Sequence, residues 1–328
     1  MTALLLAASF VLIVLGAILF TNAVEWLGHR LDLGQSAVGS LLAAVGTALP
    51  ESTIPIVAVL AGAEGQEVAI GAIVGAPFML ATVAMVLVAV SAVVFRERRS
   101  TGAELDVDRS AVRRDLGFFF PSFALAIVLG QLDSKPLHLA GAAVLLGVYA
   151  LYVRRTIKGG GETEDEEELK ALTFDASKDD PPTRLQIGAQ LVVALALIIG
   201  GAELFVEEIT KVAESVGVSV LVLALIIAPL ATELPEKLNS VIWMRKGKDM
   251  LAVGNVTGAM AFQSTIPVVL GLALTDWKLD RYATAAGVLA LAGGALALWR
   301  LERRSAGAPA AVAWAAMFAA LVVFVIVG

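Results

Sequence analysis

The 328-residue chain contains no cysteine, which excludes disulfides and thiolate metal centres. Histidine is nearly absent as well. His29 and His138 are the two in the sequence, too few for a multi-histidine metal site. Charged residues are scarce at 16%, against roughly 25% in a soluble domain. No basic segment precedes the first apolar run, so that run reads as a retained span and not as a cleaved leader. The sequence has no nucleophile–base pair and no metal motif with open coordination, and its loops are too short for a catalytic domain. The chain therefore does not read as an enzyme. It offers nothing for a cofactor or a nucleic acid. The sequence sets no oligomeric state.

What it has in quantity is apolar surface, 58% of residues, arranged in runs separated by short charged blocks. Each run is near the roughly 20 residues an apolar helix needs to cross a bilayer. The runs fall at about 4–27, 36–61, 68–95, 116–132 and 137–153, then at about 185–207, 218–244, 250–274, 282–301 and 309–327. The expected fold is an all-α polytopic membrane protein of ten spans. Between the two sets of five lies a polar stretch containing ETEDEEE and SKDDPP. It reads as a solvated tether, with binding of a regulatory cation as the alternative. This divides the chain into a first repeat, 1–156, an acidic linker, 157–183, and a second repeat, 184–328.

The two sets are related in sequence. A shift of 185 places Gly16 on Gly201, Phe20 on Phe205, Ala43 on Ala228, Thr47 on Thr232, Pro50 on Pro235 and Glu51 on Glu236. One gap-free offset with so many identities marks an internal repeat. Five spans per copy is an odd number, so the second copy enters the membrane from the opposite side and the copies are inverted. The Lys and Arg distribution fits this. With both termini outside, Arg30, the 96–114 cluster, the linker, 245–248 and 300–304 face the cytoplasm. Lys237 is intramembrane, and only Lys135, Lys211, Lys278 and Arg281 remain outside. Trp26, Trp243, Trp277 and Trp299 fall near span ends, where an aromatic belt is expected.

The duplicated motifs AAVGTALPES (43–52) and APLATELPEK (228–237) put Thr, Pro and Glu in mid-span. A carboxylate there is expensive and points to function. Proline removes a backbone donor and opens the ladder, so helices 2 and 7 are expected to be broken and to offer freed carbonyls. Thr47 and Thr232 add hydroxyls, and Glu51 and Glu236 add charge. Such an oxygen set suits hard cations, not zinc or copper. Glu233 and Lys237 stand four apart, where one helix face brings them together; a tethered cation in place of a bound ion, and snorkelling of Lys237 to the interface, are the alternatives. One span later, Gly71 and Gly75 align with Gly254 and Gly258 at an offset of 183 and give a smooth packing strip. The second copy alone adds Asn255 and Gln263, whose carbonyl oxygens are candidates for a cation or for interhelical hydrogen bonds.

GTALPES and ATELPEK resemble the alpha-repeat motifs of the sodium/calcium exchanger superfamily, the calcium/cation antiporters. The resemblance spans nearly the whole chain. It implies ten helices in two inverted five-helix repeats. It also implies secondary active antiport of Ca2+, or another hard cation, against Na+ or H+, by alternating access within a lipid bilayer. By that similarity Glu51, Glu236, Thr47, Thr232 and Asn255 fall on ion ligands, and Gln263 on a late carboxamide or carboxylate position. The chain departs from the pattern at Ala48, Glu233, Ala76 and Ala259, where the family has serine, and at Lys237. Exchange of H+ or of monovalent cations without Ca2+, a channel-like protein, and a transport-inactive member of the same fold remain alternatives. The implied location is a prokaryotic plasma membrane.

Overall fold

The computed structural model describes residues 2–30, 43–60, 62–158, 171–175 and 182–327. Side chains at 25, 28, 29, 43–50, 63, 64, 157, 158, 231, 234–236 and 239 lie outside that description. Every regular element described is helical. The first half holds α1 (Thr2–Arg30), α2 (Ala43–Leu60), α3 (Ala63–Met79), α4 (Met85–Val94), α5 (Arg109–Leu129) and α6 (Lys135–Lys158). The second half holds α7 (Arg184–Val216), α8 (Val220–Thr232), α9 (Leu234–Arg245), α10 (Asp249–Gln263), α11 (Ile266–Leu274), α12 (Arg281–Leu301) and α13 (Ala308–Val327).

Among the described residues, seven helical stretches are long and apolar enough to cross a membrane: 2–24, 65–94, 135–156, 184–216, 249–274, 281–301 and 308–327. Residues 51–60 and 220–230 form shorter apolar helices. Large aliphatic side chains point outward along these helices, among them Leu4, Leu60, Leu185 and Val327, each at least three-quarters exposed. On a soluble protein such a girdle would be a liability; in a bilayer it is the lipid contact. The chain is an all-α, polytopic, integral membrane protein.

The packing carries the signature of an inverted repeat. α1 and α7 lie against each other over much of their length. A Cβ added to Gly16 would sit 2.7 Å from Ile198 Cγ1, and one added to Gly201 would sit 2.9 Å from Ile13 Cγ1. Gly16 and Gly201 are repeat partners at offset 185, and so are Ile13 and Ile198. The contact is therefore reciprocal, as at a two-fold interface where residue i meets j and j meets i. Phe205 stacks on Phe10 at 5.6 Å, while its repeat partner Phe20 clusters with Ile198 and Leu195.

Both copies interrupt the α-helical ladder at the same repeat position. In the first, Leu80–Ala84 winds as a π-helix between α3 and α4. In the second, α10 stops at Gln263 and α11 starts at Ile266, and the 183-residue offset places this gap on 81–82, inside the π-helical segment. The local causes are similar. Pro77 and Pro267 remove ladder donors. Thr82 Oγ1 donates to the Phe78 carbonyl at 2.6 Å, and Thr265 Oγ1 donates to Ala261 and Phe262 at 3.0 and 2.8 Å. Hydroxyls bonding back along a helix compete with its own amides.

The motif helices behave differently from each other. α2 is continuous through Pro50 and Pro55. In the second copy α8 ends at Thr232 and α9 begins at Leu234, with Pro235 in its first turn. Elsewhere α5 begins seven residues before the expected span, because Asp108 caps it by accepting from the Ser110 amide at 2.8 Å. Thr183 and Gln186 form a reciprocal capping box that starts α7. Trp277 is not a belt residue. It is fully buried, with Nε1 donating to the Ala126 carbonyl at 3.0 Å and its ring against Gly271.

Candidate cation site

The site begins with two glycines. A Cβ at Gly71 would lie 2.3 Å from the Leu221 carbonyl oxygen, and one at Gly75 would lie 2.0 Å from that of Leu225. α3 and α8 thus cross backbone to backbone. The Leu225 oxygen is available for this approach because Pro229, four residues on, has no N–H to offer it. Their repeat partners do not share the arrangement. Among the described residues, a Cβ at Gly254 would meet only Met250 Cε at 3.3 Å, and one at Gly258 only Tyr152 Oη at 3.6 Å.

Beside the α3–α8 crossing lies a small cavity lined by Glu51 and Ile54 of α2, Ala72 and Ala76 of α3, and Ala228, Pro229 and Thr232 of α8. Its volume, measured for the centre of a water-sized sphere, is about 10 Å3, about enough for one water-sized group. Glu51 is buried at 8% exposure, and Thr232 at 4%. The cavity therefore joins the acid of the first motif to the hydroxyl of the second. Small Ala72, Ala76 and Ala228 leave the room, and Thr232 Oγ1 bonds back to the Ala228 carbonyl at 3.3 Å.

A second polar group forms where α8 gives way to α9. Lys237 Nζ lies 2.7 Å from Glu233 Oε2, with both side chains almost fully buried. Gln263 Nε2, at the end of α10, donates to Glu233 Oε1 at 3.2 Å. The i, i+4 spacing survives the helix break because Glu233 is the cap of α9 and the Lys237 amide donates to its carbonyl at 3.0 Å. Lys237 is therefore buried at the break and does not snorkel. The Asn255 amide of α10 donates to Ser240 Oγ of α9 at 3.3 Å. The side chains of Thr47 and Glu236 lie outside the described residues. The structure thus brings Glu51 to Thr232, and Glu233 to Gln263, and links Asn255 of α10 to Ser240 of α9.

Two buried charge clusters were not anticipated from the sequence. Asp115 of α5 accepts from Thr257 Oγ1 at 2.8 Å, from Tyr152 Oη at 3.2 Å and from Arg114 at 3.1 Å, tying α5, α6 and α10 together. Arg99 and Asp249 form a fully buried ion pair. Arg99 also donates to the carbonyls of Ala92 and Glu104, and Asp249 accepts from the Asp106 amide at 2.8 Å. Their signal in the sequence is an acid at the edge of an apolar run, which burial alone distinguishes from a solvated one.

Known proteins share this architecture. The crystal structure of the H+/Ca2+ exchanger CAX superposes with a TM-score of 0.75 at 21% identity, covering 98% of this chain and 81% of that one. The sodium-calcium exchanger NCX_Mj superposes with a TM-score of 0.61 at 17% identity, covering 98% and 97%. In sequence the chain is 26% identical over 303 residues to a protein of Alkalimonas amylolytica that carries the antiporter name CaxA, covering 89% of each. It is also 26% identical over 281 residues to the inner membrane protein YrbG of Escherichia coli strain K12, covering 84% of this chain and 81% of that one. Fold and site define a membrane transporter of the cation-exchanger type. The family model described as sodium/calcium exchanger protein matches residues 1–158 and 187–327, and the chain belongs to that family.

Proposed function

We propose that this chain is a secondary active antiporter that exchanges Ca2+, or another hard cation, against Na+ or H+ by alternating access. The observation that carries the reading is the shared cavity, in which Glu51 of one repeat faces Thr232 of the other. The ion is held by Glu51 and Glu236, with Thr47 and Thr232 supplying hydroxyls and the cavity supplying backbone oxygen. Gln263 and Asn255 are the further carboxamide candidates, and Glu233 completes the acidic set with its charge already met by Lys237. Carboxylate, hydroxyl and carbonyl oxygen is the donor set of a hard cation. The relatives with solved structures are described as exchangers of H+ or Na+ for Ca2+, which supports the cargo class.

In this reading ten spans cross the bilayer. α8 with α9 and α10 with α11 each count as one interrupted span, and the short α2 and the charged-ended α5 as two more. Residues 1–156 and 184–328 are the inverted repeats, with 157–183 between them on the cytoplasmic side and both termini outside. The polar motif helices form the ion site, and the glycine-contacting pair α1 and α7 slides against them. An empty site leaves carboxylates unneutralised in low dielectric, which disfavours the switch and couples outward to inward flux.

Counterflow in proteoliposomes tests the proposal. Tracer 45Ca2+ uptake is measured with Ca2+, Na+, K+ or a pH step imposed in turn on the opposite side. Uptake that accelerates with one counter-ion and falls at least tenfold in E51Q and E236Q is expected. Uptake without any counter-ion dependence would make the protein a passive pathway. Uptake unchanged in both variants would remove these acids from the mechanism.

A further inference from the structure

Glu233, Lys237 and Gln263 occupy positions whose repeat partners in the first copy are Ala48, Ser52 and Leu80. The second motif has therefore gained a carboxylate, an ammonium and a carboxamide together, and no net charge. The three meet in the structure. Lys237 Nζ is 2.7 Å from one Glu233 oxygen, and Gln263 Nε2 is 3.2 Å from the other. Exposure of the two charged side chains is 4% and 1%. The remaining oxygen of the Gln263 amide is buried and meets no donor among the described residues.

We infer that Lys237 is a tethered cation. Its ammonium occupies, permanently, a monovalent cation position at the Glu233 carboxylate, whose other oxygen is held by the Gln263 amide N–H, at the α8–α9 break. The inference rests on the cation-site reading above and specifies the site's charge. A lysine is costly to bury in a membrane unless it is paired, and a buried partner left behind by its removal is strongly destabilising. The geometry supplies the pairing, and the atom facing the ammonium is a carboxylate oxygen, the chemistry that suits Na+ as well. With Lys237 in place, the Glu233 carboxylate is neutralised and calls for no monovalent ion beside the cargo. Lys237 is thus a specificity-determining residue: it removes one ion from the transported load.

The test is Lys237→Ala in the full-length chain, which leaves space for a small cation where the ammonium was. The probe is Na+ itself, titrated against choline, and the readout is the melting temperature of the purified protein in detergent. The variant is expected to melt several degrees below the unaltered protein in choline and to regain most of that loss in Na+, a larger Na+ response than the unaltered protein shows. The double variant E233Q/K237A, with no carboxylate to neutralise, is expected to lose the added response. Should K237A fail to yield folded protein in choline, the same preparation in Na+ is expected to restore it. Equal Na+ responses in K237A and the unaltered protein would overturn the inference. So would an undiminished response in E233Q/K237A, or K237A that folds in neither salt. Failure of the unaltered protein to exchange cations in liposomes would instead sink the transport reading, and the Na+-dependent difference in melting would still be measured independently.

Discussion

Gly75→Ala should disable the protein while Gly258→Ala, at the equivalent position of the second repeat, should not. At Gly75 the new methyl group would stand 2.0 Å from the Leu225 oxygen, 2.7 Å from its carbonyl carbon and 2.9 Å from Pro229 Cγ. Backbone cannot swing aside as a side-chain tip can. Relief to an ordinary contact of 3.4 Å or more requires α3 and α8 to part by about 1 Å or more, and overpacking of this kind costs about 1–3 kcal/mol. Parting the helices also widens the Glu51–Thr232 cavity by a similar amount. Ligand distances to Ca2+ span only about 2.3–2.6 Å, so cation affinity should fall with stability. At Gly258 the methyl group would meet, among the described residues, only Tyr152 Oη, at 3.6 Å, and replacing a helical glycine with alanine is worth up to about 1 kcal/mol in helix propensity. The assay is thermal melting in detergent together with tracer uptake in liposomes. G75A should lose several degrees and most uptake, and G258A should match or exceed the unaltered protein in melting temperature. Equal behaviour of the two variants would refute the asymmetric crossing from which the site is built.

At the α1–α7 crossing, Gly16→Val and Gly201→Val should destabilise to a similar degree, since each added side chain meets the isoleucine of the other repeat. Partial rescue of G16V by Ile198→Ala, and not by Ile13→Ala, would be read in melting temperatures. Removing either member of the Arg99–Asp249 pair strands a buried charge and should cost about 3–5 kcal/mol. R99M/D249L should cost far less than the two single losses combined, as a double-mutant cycle in chemical denaturation would reveal. At the exposed N-terminus of α5, the Ser110 hydroxyl and amide hold the Asp108 carboxyl below its ordinary value of 3.8. Its folded form is therefore the better acid. The cap's contribution is complete above about pH 5 and disappears as the pH falls through the lowered value. Asp108→Ala should cost about 0.5–2 kcal/mol at neutral pH, and the difference in unfolding free energy should shrink in acid.

Much of the architecture was legible in the sequence because apolar runs and a gap-free offset report directly on lipid contact and duplication. The cost of burying acid singled out Glu51, and the i, i+4 spacing placed Lys237 beside Glu233. Other features depend on tertiary register. Pro50 was expected to break its helix as Pro235 does, yet α2 runs through it. The clearest ladder interruptions fall instead at 80–84 and 264–265, where threonine hydroxyls and nearby prolines act together. Asp115 finds Thr257 across 142 residues, and Arg99 finds Asp249 across 150. No local pattern encodes such partners. Trp277 sits at a span end in the sequence, but the turn after α11 folds it inward against Ala126. The asymmetry between Gly75 and Gly258 is invisible in a repeat alignment, because it lies in what faces each glycine.

The convergence of the two repeats on one cavity has a direct test. The chain has no cysteine, so the pair Glu51→Cys and Thr232→Cys can be introduced into a silent background and challenged in membranes with Cd2+ or a short bifunctional reagent. Efficient cross-linking within one chain, with neither single variant reacting in this way, is the predicted result. Absence of any cross-link between positions 51 and 232 under conditions that label each cysteine separately would contradict the shared site.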